Sequence, residues 1–496
     1  MSESKTVAVI GGGLAGLTSA LILARNGYAV TLVEKSRRLG LTVRGFTRQG
    51  VYFDTGLHYT GGLAEKGIVS RYLRYLGVEA LELAPFAEEC FDAVYFADID
   101  KRVHLPIGFE RMTEALRDAF PGEEAAITAY MRAAREAFTN SSLLNFFLDA
   151  QSGMQAMQDP RAALSLSAYL DTLTQNPHLR TVLSMHALLY GVSPDEVPFT
   201  QHAYVSASYF DSVHNFAGGG AALVEAFERR LAAEGVTVVT GRAVRRIVCG
   251  EERRVTGLEL EDGEHIMADA CICTAHPSSL AAMAGKIFRP AYLERLRGLE
   301  DTASAYMFFG IAEGKLDCLR NRNMFLCHGP NLGNAFEGRM APEDGPFYVA
   351  SSPQPAHSAK SGIVVVAPGS FDQVAAWADS ARGNRPEAYK AFKKATVARV
   401  RESLVRLCPE LEAVRFVDAA TPLTMRDYLD ARRGGLYGCK HTVAQFNPLP
   451  MTRVPNLWLA GQSVIAPGLM GAMISAFLAC GFLLGHSALQ EGVACN

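Results

Sequence analysis

Three glycines near the start of the chain are spaced to hold a dinucleotide. The run Gly11-Gly-Gly13-Leu-Ala-Gly16 is a G-x-G-x-x-G pattern in which each glycine has its own duty. Gly11 permits a tight turn, Gly13 lets backbone N–H groups approach a pyrophosphate, and Gly16 lets a helix settle close on a strand. Leu14 and Ala15 open that helix, whose free N–H groups and positive dipole end favour phosphate. Glu34 closes the next strand, where it can hydrogen-bond ribose hydroxyls and would repel a 2′-phosphate. This fingerprint suits FAD and NAD equally. The far end of the chain tips the choice. Asn456-Leu-Trp-Leu-Ala-Gly-Gln462 reads as a strand and glycine turn, followed by Pro467-Gly-Leu-Met-Gly-Ala-Met473. A helix opening with Pro and Gly brings its amides close to a ligand, and a reduced flavin carries negative charge that such a dipole end stabilises. FAD is therefore the expected cofactor.

These residues need a scaffold of alternating strands and helices. Lys5-Thr-Val-Ala-Val-Ile10 reads as a buried parallel strand, residues 14–26 as a helix stopped by Gly27, and residues 29–33 as a second strand, together a βαβ unit. A hairpin follows over residues 44–56, turning at Arg48-Gln-Gly50. Residues 81–217 are richer in helix, with amphipathic segments over 109–119 and 124–136. The α/β character returns with a helix over 221–234, a strand over 236–240, and runs over 255–261 and 265–273 on either side of Glu261-Asp-Gly263. A mixed block spans 286–439, and the chain ends with a strand over 457–460 and an apolar helix over 469–484. The order predicts an α/β protein with a Rossmann-type FAD-binding domain built on a parallel sheet from three pieces, 1–80, 218–285 and 440–496. An α+β substrate domain, 81–217 and 286–439, is inserted twice.

Composition excludes several other classes. A hydrophobic content of 49%, a charged content of 20% and a net charge of -3 describe a folded protein with no electrostatic case for nucleic acid. The ten cysteines form no C-x-x-C pair and read as reduced core thiols, which favours a reducing, cytoplasmic setting. No metal site is expected. The apolar stretch over residues 7–24 carries the glycine fingerprint and so is not a signal peptide. The tail, free of Asp, Glu, Lys and Arg between Arg453 and Glu491, is broken by glycine and proline and reads as a core helix rather than a membrane span.

Taken together, residues 11–34, Gly50-Val-Tyr-Phe-Asp-Thr-Gly-Leu-His-Tyr59, Pro106-Ile-Gly-Phe109 running to Phe120-Pro-Gly-Glu-Glu124, and residues 457–480 resemble the phytoene desaturase-like FAD-dependent oxidoreductases. The likeness is greatest on the retinol saturase and carotenoid isomerase side of that family. The resemblance implies a substrate domain with an apolar tunnel and hydride transfer at the flavin N5. It implies that Gly11, Gly13, Gly16, Glu34 and Lys35 hold the ADP half, and that the backbone of Val244 meets the adenine. Gly461, Gln462, Leu469 and Met470 would border the ribityl chain and flavin. One feature departs from the family. Many relatives carry Gly-Gly-Arg after the ribose acid, where this chain has Gly40-Leu41-Thr42; Arg44 is the nearest cation that could reach the pyrophosphate instead.

The resemblance also places Phe53-Asp-Thr-Gly56 beside the flavin, which makes the following His58 and Tyr59 candidate proton donors. The leading expectation is saturation or desaturation of a carbon–carbon bond in a lipophilic polyene or isoprenoid. Alternatives are a reduced-flavin isomerase of carotenoids or retinoids, a flavin amine oxidase for which Lys440 is a candidate residue, and a non-catalytic prenyl carrier, against which the intact fingerprint argues. Gly218-Gly-Gly220 precedes a helix but follows no convincing strand, so no second dinucleotide site is expected. The electron donor or acceptor would then be external. A greasy substrate also invites peripheral membrane contact.

Overall fold

The computed structural model describes residues 5–141, 159–355 and 358–495. Strand Thr6–Ile10 is buried over nearly its whole length, as a strand covered on both faces must be. It pairs in parallel with Ala29–Glu34, Ile10 opposite Val33, and with Ala270–Cys273, Ile10 opposite Cys273. Leu457–Leu459 and Thr237–Thr240 extend the two edges into a five-stranded parallel sheet. Strands remote in sequence thus lie side by side.

Two helices from opposite ends of the chain cover one face. Leu17 and Leu21 of helix Leu14–Arg25 share a core with Met473, Ile474 and Phe477 of helix Gly468–Leu484. The Cys480 thiol reaches the Ser19 carbonyl at 3.8 Å, and Phe477 stacks on Tyr72 with ring centroids 4.2 Å apart. Burial of a side chain the size of Phe477 stabilises by about 2–3 kcal/mol. The other face packs against a three-stranded antiparallel sheet, Val244–Cys249, Val255–Leu260 and His265–Met267.

A seven-stranded sheet forms the second layer. From one edge it runs Arg415–Ala420, Ser304–Glu313, Lys360–Gly369, Phe347–Ser352, Asn323–Cys327, Asp92–Phe96 and Lys101–Leu105. It is antiparallel except where Asn323–Cys327 meets Asp92–Phe96. Helices including Glu124–Asn140 and Phe199–Asp211 close over it around Tyr130, Phe199 and Leu179. The hairpin Phe46–Arg48 and Val51–Phe53 turns through Gln49 and Gly50, both at positive φ, and its Phe46 and Phe53 pack on Phe309 of the larger sheet.

Two expectations need correction. The apolar run over 265–273 is not one strand. Its first part pairs antiparallel with Val255–Leu260, and the chain then crosses at Ala268 and Asp269 into the parallel sheet; hydropathy alone hides a change of sheet. A further helix, His486–Ala494, follows Gly485. Among the described residues no helix is long and apolar enough to cross a membrane. The ten cysteines are free thiols, with Cys271 and Cys273 buried in their strand.

Candidate active site

Each glycine of the first fingerprint is built into the turn after Thr6–Ile10. Gly11 has φ +102, and a Cβ on it would stand 2.5 Å from Thr274 Oγ1. A Cβ on Gly16 would lie 1.8 Å from the Gly11 carbonyl oxygen, so only glycine lets the helix come so close. Gly13 differs, because no heavy atom lies within 4 Å of its Cβ position. It faces a cleft of about 680 Å³ lined also by Leu14, Ala15, Glu34, Lys35 and Val244. Glu34 accepts hydrogen bonds from the N–H groups of Gly12 (2.6 Å) and Ser36 (2.7 Å), and Lys35 reaches Asp430 across the cleft at 2.6 Å.

The C-terminal segment walls the opposite end. Gly461, Gln462, Gly468 and Leu469 line it. Gly461 sits at φ +115 with its N–H donated to Ser475 Oγ at 2.7 Å, and His441 donates to the Gln462 carbonyl at 2.8 Å. Gly468, the first residue of its helix, also has open space at its Cβ position. Two helix N-termini with open, side-chain-free amides therefore face one elongated cleft, an arrangement that fits FAD.

The cleft abuts a second cavity of about 540 Å³. Thr42, Gly56, Leu429, Leu436 and Tyr437 line both. The second cavity is walled mainly by apolar groups, among them Leu188, Leu189, Met307, Phe309, Phe336 and Val366. Among the described residues its one lining carboxylate, Asp418, is held by Lys393 at 3.3 Å and Arg48 at 3.7 Å. Near the junction stand His58, Tyr437, Tyr348 and Thr55. The hydroxyls of Tyr348 and Thr55 are buried without a hydrogen-bond partner. Burial lowers the His58 pKa from 6.5 to about 4, so its imidazole is neutral at pH 7; its ring packs against Tyr348 at 5.5 Å. Burial pushes the Tyr437 phenol up to about 12, which keeps it a proton donor.

Three predicted residues sit elsewhere. Tyr59 lines neither cavity; its buried hydroxyl donates to Asp92 at 2.9 Å, and its ring packs on Tyr209 and Tyr348. Arg44 donates to the Leu39 carbonyl at 3.1 Å and pairs with Glu228, so it faces away from the cleft. Met470 packs into the core behind the cleft, its methyl against Gly62. Helix periodicity explains the last case, since neighbouring residues point in different directions. Lys440 is held by Glu196 at 3.0 Å and Glu300 at 3.3 Å.

Sequence reasoning missed Asp54 and His276. Asp54 is fully buried beneath the hairpin, where it accepts hydrogen bonds from Tyr52 (2.6 Å) and from the Gly220 N–H (3.0 Å). Burial raises its pKa from 3.8 to about 6, against the pull of those donors. It fills the N-terminus of helix Gly219–Ala233, so the second glycine run is capped by protein. Its signal was present in Phe53-Asp-Thr-Gly56. His276 lines the cleft. Burial alone would lower its pKa, but hydrogen bonds with Asp301 (2.9 Å) and Cys439 (3.3 Å) outweigh that and hold it at about 9. These partners are too far apart in sequence to form a readable motif.

Comparison with known proteins agrees with this geometry. The sequence profile described as flavin containing amine oxidoreductase matches residues 14–481. The chain is 26% identical to all-trans-retinol 13,14-reductase of Danio rerio, over 97% of this chain and 86% of that protein. It is 26% identical to phytoene desaturase of Cercospora nicotianae, over 70% of this chain and 58% of that one. A crystal structure of an oxidoreductase from Methanosarcina mazei superposes with a TM-score of 0.68 at 15% identity, covering 95% of this chain and 99% of that one.

Proposed function

The chain belongs to the flavin-containing amine oxidoreductase family, and from that premise we propose that it is an FAD-dependent enzyme that saturates or desaturates a carbon–carbon bond of a lipophilic polyene or isoprenoid. The observation that carries this reading is the junction itself, where a dinucleotide cleft and an apolar cavity share Thr42, Gly56, Leu436 and Tyr437. The relatives named above are a reductase of all-trans-retinol and a desaturase of phytoene, and an apolar cavity suits such ligands.

Bound FAD supplies two-electron hydride chemistry at N5. Gly11, Gly13, Leu14, Ala15 and Glu34 would hold its ADP half, with Gly461, Gln462 and Leu469 at the ring end. The protein must position the substrate carbons, exclude water and handle one proton. The apolar walls orient the chain of the substrate and keep the junction dry. Tyr437, kept protonated, is the group that can deliver the proton during saturation, and the neutral imidazole of His58 is the group that can accept one in the reverse direction. Tyr59 and Asp92 support this arrangement from behind. Electrons would be exchanged with an external partner.

A carboxylate that could attract an amine is already engaged: among the described residues Asp418 is the one carboxylate on the cavity wall, and it holds two cations. The reading is tested by anaerobic mixing. A retinoid or carotenoid panel should change the flavin spectrum by oxidising the reduced enzyme or reducing the oxidised one. Primary amines should leave the oxidised flavin yellow; bleaching by amines alone would overturn the proposal.

A further inference from the structure

The segment leading into the last strand is built inside out. Its polar side chains are tied inward, with Gln445 bonded to the backbone of Glu300 and Lys440, and Asn447 donating to the Lys440 carbonyl at 3.1 Å. Its large apolar side chains point to solvent instead: Phe446 is 81% exposed, Leu449 68%, Met451 56% and Val443 43%. The loop is held firmly in this pose. Val443 donates its N–H to the Glu196 carbonyl at 2.9 Å, Leu459 donates to Pro450 at 2.8 Å, and the guanidinium of Arg295 donates to the Phe446 carbonyl at 3.2 Å. Folding alone gives no reason to expose four such groups within nine residues.

We propose that this loop is a docking surface for a lipid bilayer carrying anionic headgroups, with Val443, Phe446, Leu449 and Met451 seated in the interfacial layer. Charge supports the choice. Among the described residues, exposed Arg295 and Arg297, on the helix Pro290–Gly298 beneath the loop, and Arg453 at its end have no acidic partner, against one carboxylate, Glu294, on these segments. Apolar insertion combined with flanking cations is the usual pattern of interfacial binding. Position supports it too. Lys440, where the loop begins, lines a polar cavity of about 550 Å³ together with Arg297 and Glu300. That cavity shares Gly191, Ala303, Ser304 and Phe336 with the apolar one, so the loop begins at the wall of a cavity adjoining the substrate cavity. The choice of lipid as partner rests on the lipophilic-substrate reading above.

The test uses the full FAD-loaded chain and vesicles of phosphatidylcholine with or without a minor fraction of phosphatidylserine. The wild-type protein should sediment with vesicles, more strongly with phosphatidylserine and less at high salt. F446S/L449S should partition about tenfold or more weakly, with bound flavin and turnover of detergent-delivered substrate unchanged. Wild-type protein that stays in the supernatant overturns the proposal, as does a variant that sediments equally well. So does a wild-type dimer that the variant converts to monomer without any vesicle binding, which would show that a second copy covers the loop. Vesicle binding without turnover of any polyene would leave the docking surface standing and remove the substrate reading.

Discussion

At the scale of single residues, the structure separates two neighbours that the sequence could not. The chain bends at His58, and the two neighbours part there: His58 lines the apolar cavity while Tyr59 turns its hydroxyl to Asp92. Single-turnover flavin kinetics should reflect this. His58→Phe should slow the chemical step in the desaturation direction by about a hundredfold, the usual scale of a lost general base. Tyr59→Phe should leave that step within about twofold yet lower stability by about 1–3 kcal/mol, the cost of leaving a buried carboxylate short of a donor. Equal rate losses in both would remove the distinction. The same environment governs pH dependence. His58 and the fully buried His202, lowered by burial to about 4 and about 3 from 6.5, bind fewer protons folded than unfolded. Their contribution is complete above pH 6.5 and is lost as pH falls through that window. Asp54, raised from 3.8 to about 6, acts in the opposite direction with a smaller shift. Net stability of the holoenzyme should therefore decline on acidification below 6.5, and His58→Gln should make thermal melts across that window less steep. A slope unchanged by the substitution would contradict this.

Elements were legible where a local pattern determines them, and less so where distant segments decide. The helix after Gly13 and the helix of the tail show in sequence because each follows directly on a glycine or proline and continues as an apolar run. The break at Ala268 and Asp269 does not show, because Ile266 and Ala268 pack into the same cluster as Cys271 and Cys273 although the two halves pair in different sheets. The cap on helix Gly219–Ala233 was hidden for a similar reason, since Asp54 arrives from far along the chain. The fingerprint glycines carry the prediction for this scale. Gly16→Ala pushes a methyl into the Gly11 carbonyl and should abolish folding or FAD retention outright. Gly13→Ala meets open space, so the apoprotein should melt within a few degrees of wild type while FAD binds at least about tenfold more weakly, because the methyl would occupy the approach to the pyrophosphate. Apoprotein melts and FAD titration distinguish the two; normal FAD affinity in Gly13→Ala would place the diphosphate elsewhere.

For the molecule as a whole, the sequence conveyed that its two ends belong together, and the parallel sheet unites strands from 6–34, 237–240, 270–273 and 457–459. What it could not convey was which residues wall the expected apolar cavity; they come from the hairpin, the large sheet and the segment around Tyr437. No periodicity marks residues that meet only in three dimensions. The account rests on those two spaces meeting, so that a flavin in one reaches a carbon–carbon bond in the other. The most direct measurement is a single turnover with the flavin reduced in the absence of oxygen, a lipophilic polyene added, and the product weighed by mass spectrometry as the flavin absorbance is followed. The account predicts flavin reoxidation matched by a product heavier by two hydrogens, or, with oxidised flavin, its reduction matched by a product lighter by two. A product of unchanged mass, with the flavin left in its starting redox state, would contradict it.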